Sequence, residues 1–147
     1  MKKYILSIAV ATLALQSFST FPSKVEMLNI DTKPVLKENS LDPPTDKGKK
    51  IFMQTCVACH QATGAGIPGA FPPLAKSDYL NKDTNRAIKG VVKGLTGPIT
   101  VNGKKYNSAM PAQALSDQQI ADVMTYIYSS WGNNKTVVTA AMVKAQR

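Results

Sequence analysis

Cys56-Val57-Ala58-Cys59-His60 holds both cysteines and the only histidine of a 147-residue chain. Positions i, i+3 and i+4 share one face of a helical turn, so a helical conformation here points two thiols and an imidazole the same way. A helix is expected to run into this turn. Thr45 or Asp46 can cap a helix reaching roughly Cys56 (DKGKKIFMQTC), with Ile51, Phe52 and Thr55 on one face. Gly48 in its interior costs about 1 kcal/mol relative to Ala, which implies that another element presses close at that point.

Downstream of His60, residues 61–77 (QATGAGIPGAFPPLAKS) are too rich in Gly and Pro for helix or regular sheet. Loops of this length in compact domains usually serve a bound group. Residues 83–94 (DTNRAIKGVVKG) predict a short helix with Ile88, Val91 and Val92 facing inward. Asn102-Gly103, flanked by β-branched residues, predicts a small hairpin over Ile99–Tyr106. Ser116 with Gln119 forms a capping box for a final helix. Ile120, Val123, Met124, Ile127 and Trp131 line one side of it, and Gly132 supplies the stop. Residues 133–147 read as a basic tail in which a further short helix has no definite place. The fold class is therefore all-α, a small helical domain with a short β-hairpin insert.

Three uses of the Cys-x-x-Cys-His pattern compete. A thioredoxin-like redox pair opens a helix after a strand in a βαβ unit, whereas here a helix precedes the pair and no βαβ pattern exists. A structural zinc ion needs four ligands, and beyond this cluster the chain has no Cys or His left to give. Against a chance occurrence of the pattern, the use that its spacing favours is covalent attachment of one haem c, with both thiols on porphyrin vinyl groups and the imidazole on the iron. Cys56, Cys59 and His60 are then cofactor-binding, and His60 is a metal ligand. With no second histidine, a sixth ligand must be sought among methionines, whose soft thioether favours Fe(II). Met27 lies in the leader and Met142 in the tail. Met53 shares the helix of Cys56, and Met124 lies on an apolar stripe where Met normally packs. Met110, in a loop and followed by Pro111, is the expected metal ligand.

Residues from about Lys47 to Trp131 resemble a class I c-type cytochrome, a single-haem cytochrome c domain. Gly48-x-x-x-Phe52 is similar to the family's first-helix pair that packs on the last helix, here at Val123 and Tyr126. Ser108-Ala109-Met110-Pro111 resembles the axial methionine loop. The resemblance implies that a proline carbonyl a dozen residues after the histidine accepts its Nδ1–H. Pro72 matches that position, with Pro68 and Pro73 as competitors, and Leu74 matches a core leucine at the haem edge. GIPGAFPPLA and VNG-x-x-Y are most similar to haem domains associated with copper nitrite reductases and terminal oxidases. This chain has no copper-binding domain beside them. The resemblance implies redox protein partners, a nitrite reductase or terminal oxidase among them. Arg86, Tyr79, Tyr106 and Trp131 are unranked contacts to propionates or ring edge.

With both axial positions filled, such a centre carries single electrons by outer-sphere transfer and is not an enzyme. If Met110 is not a ligand, an open position implies a gas-binding or peroxidase-like haem protein. A third reading is a fixed haem subunit of a larger oxidoreductase complex. Met1-Lys2-Lys3, the apolar run Tyr4–Leu15 and Ser17-Phe18-Ser19 read as a signal peptide over residues 1–19, hence export to the periplasm. Residues 20–44 read as an extended polar tether, 45–132 as the domain and 133–147 as the tail. The formal charge of +9 rests on 16 Lys and 2 Arg, scattered, with no aromatic-basic groove. Nucleic acid is excluded on that pattern, and membrane contact is at most peripheral. Lys49, Lys50, Lys76, Lys104 and Lys105 have two readings, a docking rim for an acidic partner or a merely solvated set of surface charges.

Overall fold

Pro44 opens the first helix, where the absent N–H would have had no intrahelical partner. The structure is a computed structural model and describes residues 44–147. The segments expected to be a signal peptide and, for the most part, a tether, together with Met27, lie outside the described residues. Helix α1 (Pro44–Thr55) thus starts a residue or two before the expected cap and stops one residue short of Cys56. The chain makes a turn there and continues as α2 (Val57–His60). Cys56 N–H still bonds the Phe52 carbonyl at 2.9 Å, so the helical path is nearly unbroken.

Residues 61–77 form the irregular loop expected of their Gly and Pro content. The sequence gives no hint of the element that follows it. Ser77 Oγ accepts from Leu80 N–H and caps α3 (Asp78–Lys82), a helix of five residues and so too short to display a periodicity. Asp83 then caps α4 (Thr84–Lys93), whose Ala87 and Ile88 are buried. Strands β1 (Ile99–Val101) and β2 (Lys104–Tyr106) pair antiparallel, with Val101 opposite Lys104. Asn102 and Gly103 have φ of 49° and 76°, the paired positive values of a type I′ turn.

Helix α5 (Asp117–Ser129) carries the complete capping box at Ser116 and Gln119. It ends at Ser129, earlier than Gly132, and Trp131 lies beyond it in a left-handed conformation (φ 51°). Its principal neighbour is α1. A methyl at Gly48 would strike the carbonyl of Asp122 and the Cβ of Tyr126, so the closest approach is to Asp122 and Tyr126, and Val123 is buried in the same core cluster as Phe52. Phe52, Tyr126 and Trp131 form an aromatic cluster across this crossing, with ring centroids 5.2–5.6 Å apart. Residues 133–147 return to the core. Val138 and Val143 are buried, Thr139 caps α6 (Ala140–Lys144), and α6 packs on α5. Among the described residues no helix is long and apolar enough to cross a membrane.

Candidate haem-binding cleft

Because α1 delivers the chain to Cys56 in helical geometry, the next turn is set by two bonds onto one carbonyl. Cys59 and His60 N–H both bond Cys56 O, at 3.3 and 3.0 Å. This is the turn that places positions 56, 59 and 60 on one face. All three border a cleft of ≈ 1270 Å³, open solvent included, whose walls are otherwise largely apolar. Phe71, Leu74, Leu80, Val91, Leu95, Val101 and Ile127 contribute to those walls. Neither cysteine is in a disulfide. Burial pushes the Cys56 thiol up, against a contact with Thr55 Oγ1 at 3.3 Å that acts the other way.

His60 Nδ1 lies 3.0 Å from the carbonyl oxygen of Pro72. A carbonyl only accepts, so Nδ1 carries the hydrogen and Nε2 keeps its lone pair. Burial holds the imidazole below its usual titration range, opposed by the Pro72 bond, so the ring is neutral at pH 7. Of the competing prolines, Pro73 borders the cleft but neither it nor Pro68 receives this bond.

Met110 reaches the same cleft from the loop between β2 and α5. Its backbone is fixed by a two-way bridge with Leu95: Leu95 N–H to Met110 O at 2.8 Å and Met110 N–H to Leu95 O at 2.9 Å. Gly94, at φ 81°, makes that approach feasible, since a Cβ there would lie 2.8 Å from Met110 O. A glycine after the last helical residue is the sequence signal for this bridge. Met124 also borders the cleft but is 1% exposed within the α5 core, as its helical spacing implied. Met53 is exposed, and Met142 packs against the core away from the cleft.

Leu74 lines the cleft, as do Tyr79 and Tyr106; Trp131 does not, being held in the aromatic cluster. Arg86 lies behind Tyr79, its guanidinium 3.9 Å from the ring centroid and Nη2 donating to Tyr79 O at 2.6 Å. Its buried Nε has no partner among the described residues. The cleft thus combines a largely apolar interior with two free thiols beside an imidazole. That set fits a large apolar ring bearing reactive vinyl groups and a metal.

A family model described as Cytochrome c matches residues 45–131. Cytochrome c-552 of Thermus thermophilus is 46% identical over 95 residues, covering 61% of this chain and 72% of that protein. The cytochrome c subunit of alcohol dehydrogenase (quinone) from Gluconobacter oxydans is 34% identical over 91 residues, 59% of this chain. The gluconate 2-dehydrogenase cytochrome c subunit of Pantoea cypripedii is 35% identical over 105 residues. The matches span only 19% and 24% of those two subunits. A cytochrome c domain carries covalently bound haem c with its iron and works with redox protein partners, and Cys56 and Cys59 stand at the spacing for that attachment. On its sequence match and its helical fold with one small antiparallel sheet, the chain belongs to the cytochrome c family, as a class I electron carrier.

Proposed function

We propose that this chain is an exported single-haem cytochrome that passes single electrons between respiratory redox proteins by outer-sphere transfer, with no catalytic step of its own. Cys56 and Cys59 would hold the haem as thioethers, and His60 and Met110 would be its axial ligands. When bound, haem c supplies the one-electron Fe(III)/Fe(II) couple. Cys56 and Cys59 would fix the ring to the polypeptide and so hold its orientation. His60 offers Nε2 as a neutral donor because Pro72 holds the proton on Nδ1. Met110, with its backbone clamped to Leu95, offers a thioether from a rigid loop, and Met124 is committed to the α5 core. The apolar walls and Leu74 would keep water from the ring.

The observation that carries this reading is the His60–Pro72 bond inside the cleft shared by both thiols and Met110. With His60 and Met110 both held by the iron, no position would be left for a substrate, as a carrier requires and a gas sensor or peroxidase does not. Carbon monoxide added to the reduced protein at neutral pH therefore leaves its spectrum unchanged. Rapid stoichiometric binding would instead identify an open sixth position.

The signal peptide read at residues 1–19 supports a periplasmic location. The dehydrogenase cytochrome subunits among the relatives favour a dehydrogenase as electron donor; a terminal oxidase or nitrite reductase as acceptor rests on the resemblance of the GIPGAFPPLA and VNG-x-x-Y segments alone. They also support a second reading, a haem subunit fixed in a dehydrogenase complex. Co-elution with a larger assembly on size exclusion of cell extracts would favour that, and elution near the monomer mass the free shuttle.

A further inference from the structure

Asn133 is the one asparagine buried among the described residues, at 8% exposure, and all of its carboxamide is used. Its Oδ1 accepts from Ser77 N–H at 3.1 Å and from Asn81 Nδ2 at 3.2 Å. Its Nδ2 donates to the Leu74 and Ile127 carbonyls, both at 2.9 Å. The orientation is unambiguous: a backbone N–H on one side demands oxygen, and two carbonyls on the other demand the NH2. One side chain therefore ties the end of α5 to the loop after His60 and to α3, across 52–59 residues of sequence.

The bond to Leu74 bears on the imidazole. Leu74 N–H is held by Gly64 O at 2.7 Å, so Asn133 secures the remaining polar group of Leu74. Pro72 and Pro73 precede it, and their rings fix φ at about −65°, leaving little slack between Leu74 and the Pro72 carbonyl. On the other side, Phe71 is bridged to Ile67 by bonds of 2.8 and 2.9 Å. The carbonyl that accepts from His60 Nδ1 is thus suspended between two anchors, and Asn133 supplies one of them.

We propose that Asn133 is a positioning residue for the axial histidine: by holding Leu74 it sets the Pro72 carbonyl against His60 Nδ1, and so tunes the donor strength of Nε2. The inference rests on His60 being the iron ligand. A shorter Nδ1–H···O bond makes the imidazole more basic and favours the oxidised state. Loosening that bond raises the reduction potential.

The test uses the matured protein with three substitutions: Asn133→Ala, Asn133→Ser in case the alanine variant does not fold, and Asn133→Gln, which keeps the carboxamide. Two readouts are taken, the reduction potential and the solvent-exchange rate of the His60 Nδ1 proton by NMR. Asn134→Ala serves as control. It removes a bond to the Asn81 carbonyl and two to Thr136 in the same turn, without touching Leu74. Asn133→Ala or Asn133→Ser shifts the redox equilibrium about threefold toward the reduced form, ~30 mV for one electron. The Nδ1 proton exchanges several-fold faster, Asn133→Gln recovers part of both effects, and Asn134→Ala changes neither. If the Asn133 variants lose stability but keep the wild-type potential and exchange rate, Asn133 is merely structural and the proposal fails. A wild-type protein without a haemochrome spectrum would defeat the haem reading itself, a separately visible result.

Discussion

Replacing Gly48 with alanine should destabilise the protein, although alanine is the better helix former. The added methyl would lie 2.7 Å from both the Tyr126 Cβ and the Asp122 carbonyl carbon, and closer still to the Asp122 oxygen. Ordinary contact begins near 3.4 Å, so α1 and α5 must part by at least about 0.7 Å to clear the two carbons, and by more to clear the Asp122 oxygen. Gaps of that size forfeit roughly a quarter to a half of each dispersion contact. The contacts at stake include Phe52 on Tyr126 and on Trp131, at 5.6 and 5.2 Å between ring centroids. Overpacking costs about 1–3 kcal/mol, and obstruction by helix backbone argues for the upper end. Against this, alanine regains about 1 kcal/mol of helix propensity. The net loss is about 2 kcal/mol, or a Tm lower by roughly 8–16 °C for a domain of this size. Gly90→Ala is the internal control. Its methyl would meet only Leu95 Cδ1, the free end of a rotatable side chain, at 2.5 Å, so the loss there should be much smaller. Thermal unfolding of both variants by far-ultraviolet circular dichroism decides the matter. A Gly48→Ala protein with an unchanged or higher Tm would refute the reasoning, because propensity would then have outweighed the crossing.

Two further perturbations bear on the core and on the cofactor's part in it. Tyr128 is fully buried and its hydroxyl donates to Leu80 O at 3.0 Å; burial pushes its phenol up, with a Thr84 hydrogen bond opposing. The folded state therefore holds this proton to higher pH than the unfolded chain, whose tyrosine titrates near ~10. Its contribution is complete below that pH and is lost as pH rises through the folded value, so Tm falls above pH ~10. Tyr128→Phe should cost about 1 kcal/mol at pH 7 and flatten the alkaline decline; an identical decline in both proteins would contradict the assignment. A Cys56→Ser, Cys59→Ser protein, unable to hold haem covalently, should be largely unfolded, because Leu80, Val101 and Ile127 then face an unfilled cleft. Native-like circular dichroism from that variant would overturn this.

The elements legible in the sequence are those whose signals are local. The capping box at Ser116 and Gln119, the Asn102-Gly103 turn and the Cys56–His60 spacing each lie within five residues, and each is realised in the structure. Pro72 came from resemblance, and the geometry singles it out from Pro68 and Pro73. What escaped the sequence depends on distance along the chain. Helix α3 is five residues capped by Ser77, and Ser77 is itself held by Asn133, 56 residues away. Residues 133–147 look like a tail because Val138 and Val143 stand too far apart to reveal a buried face. Trp131 keeps the helical spacing of α5, yet the chain has already turned at Ser130, and its ring packs on Gly64 and Phe52. Periodicity identifies an apolar side chain but not the surface it covers.

The claim that the iron is closed by nitrogen from His60 and sulfur from Met110 is tested most directly by the sulfur-to-iron charge-transfer band of the oxidised protein. The wild-type protein should display that band, Met124→Leu should keep it, and Met110→Ala should lose it while retaining the covalent haem mass. A Met110→Ala protein in which the band persists would mean that Met110 is not the ligand.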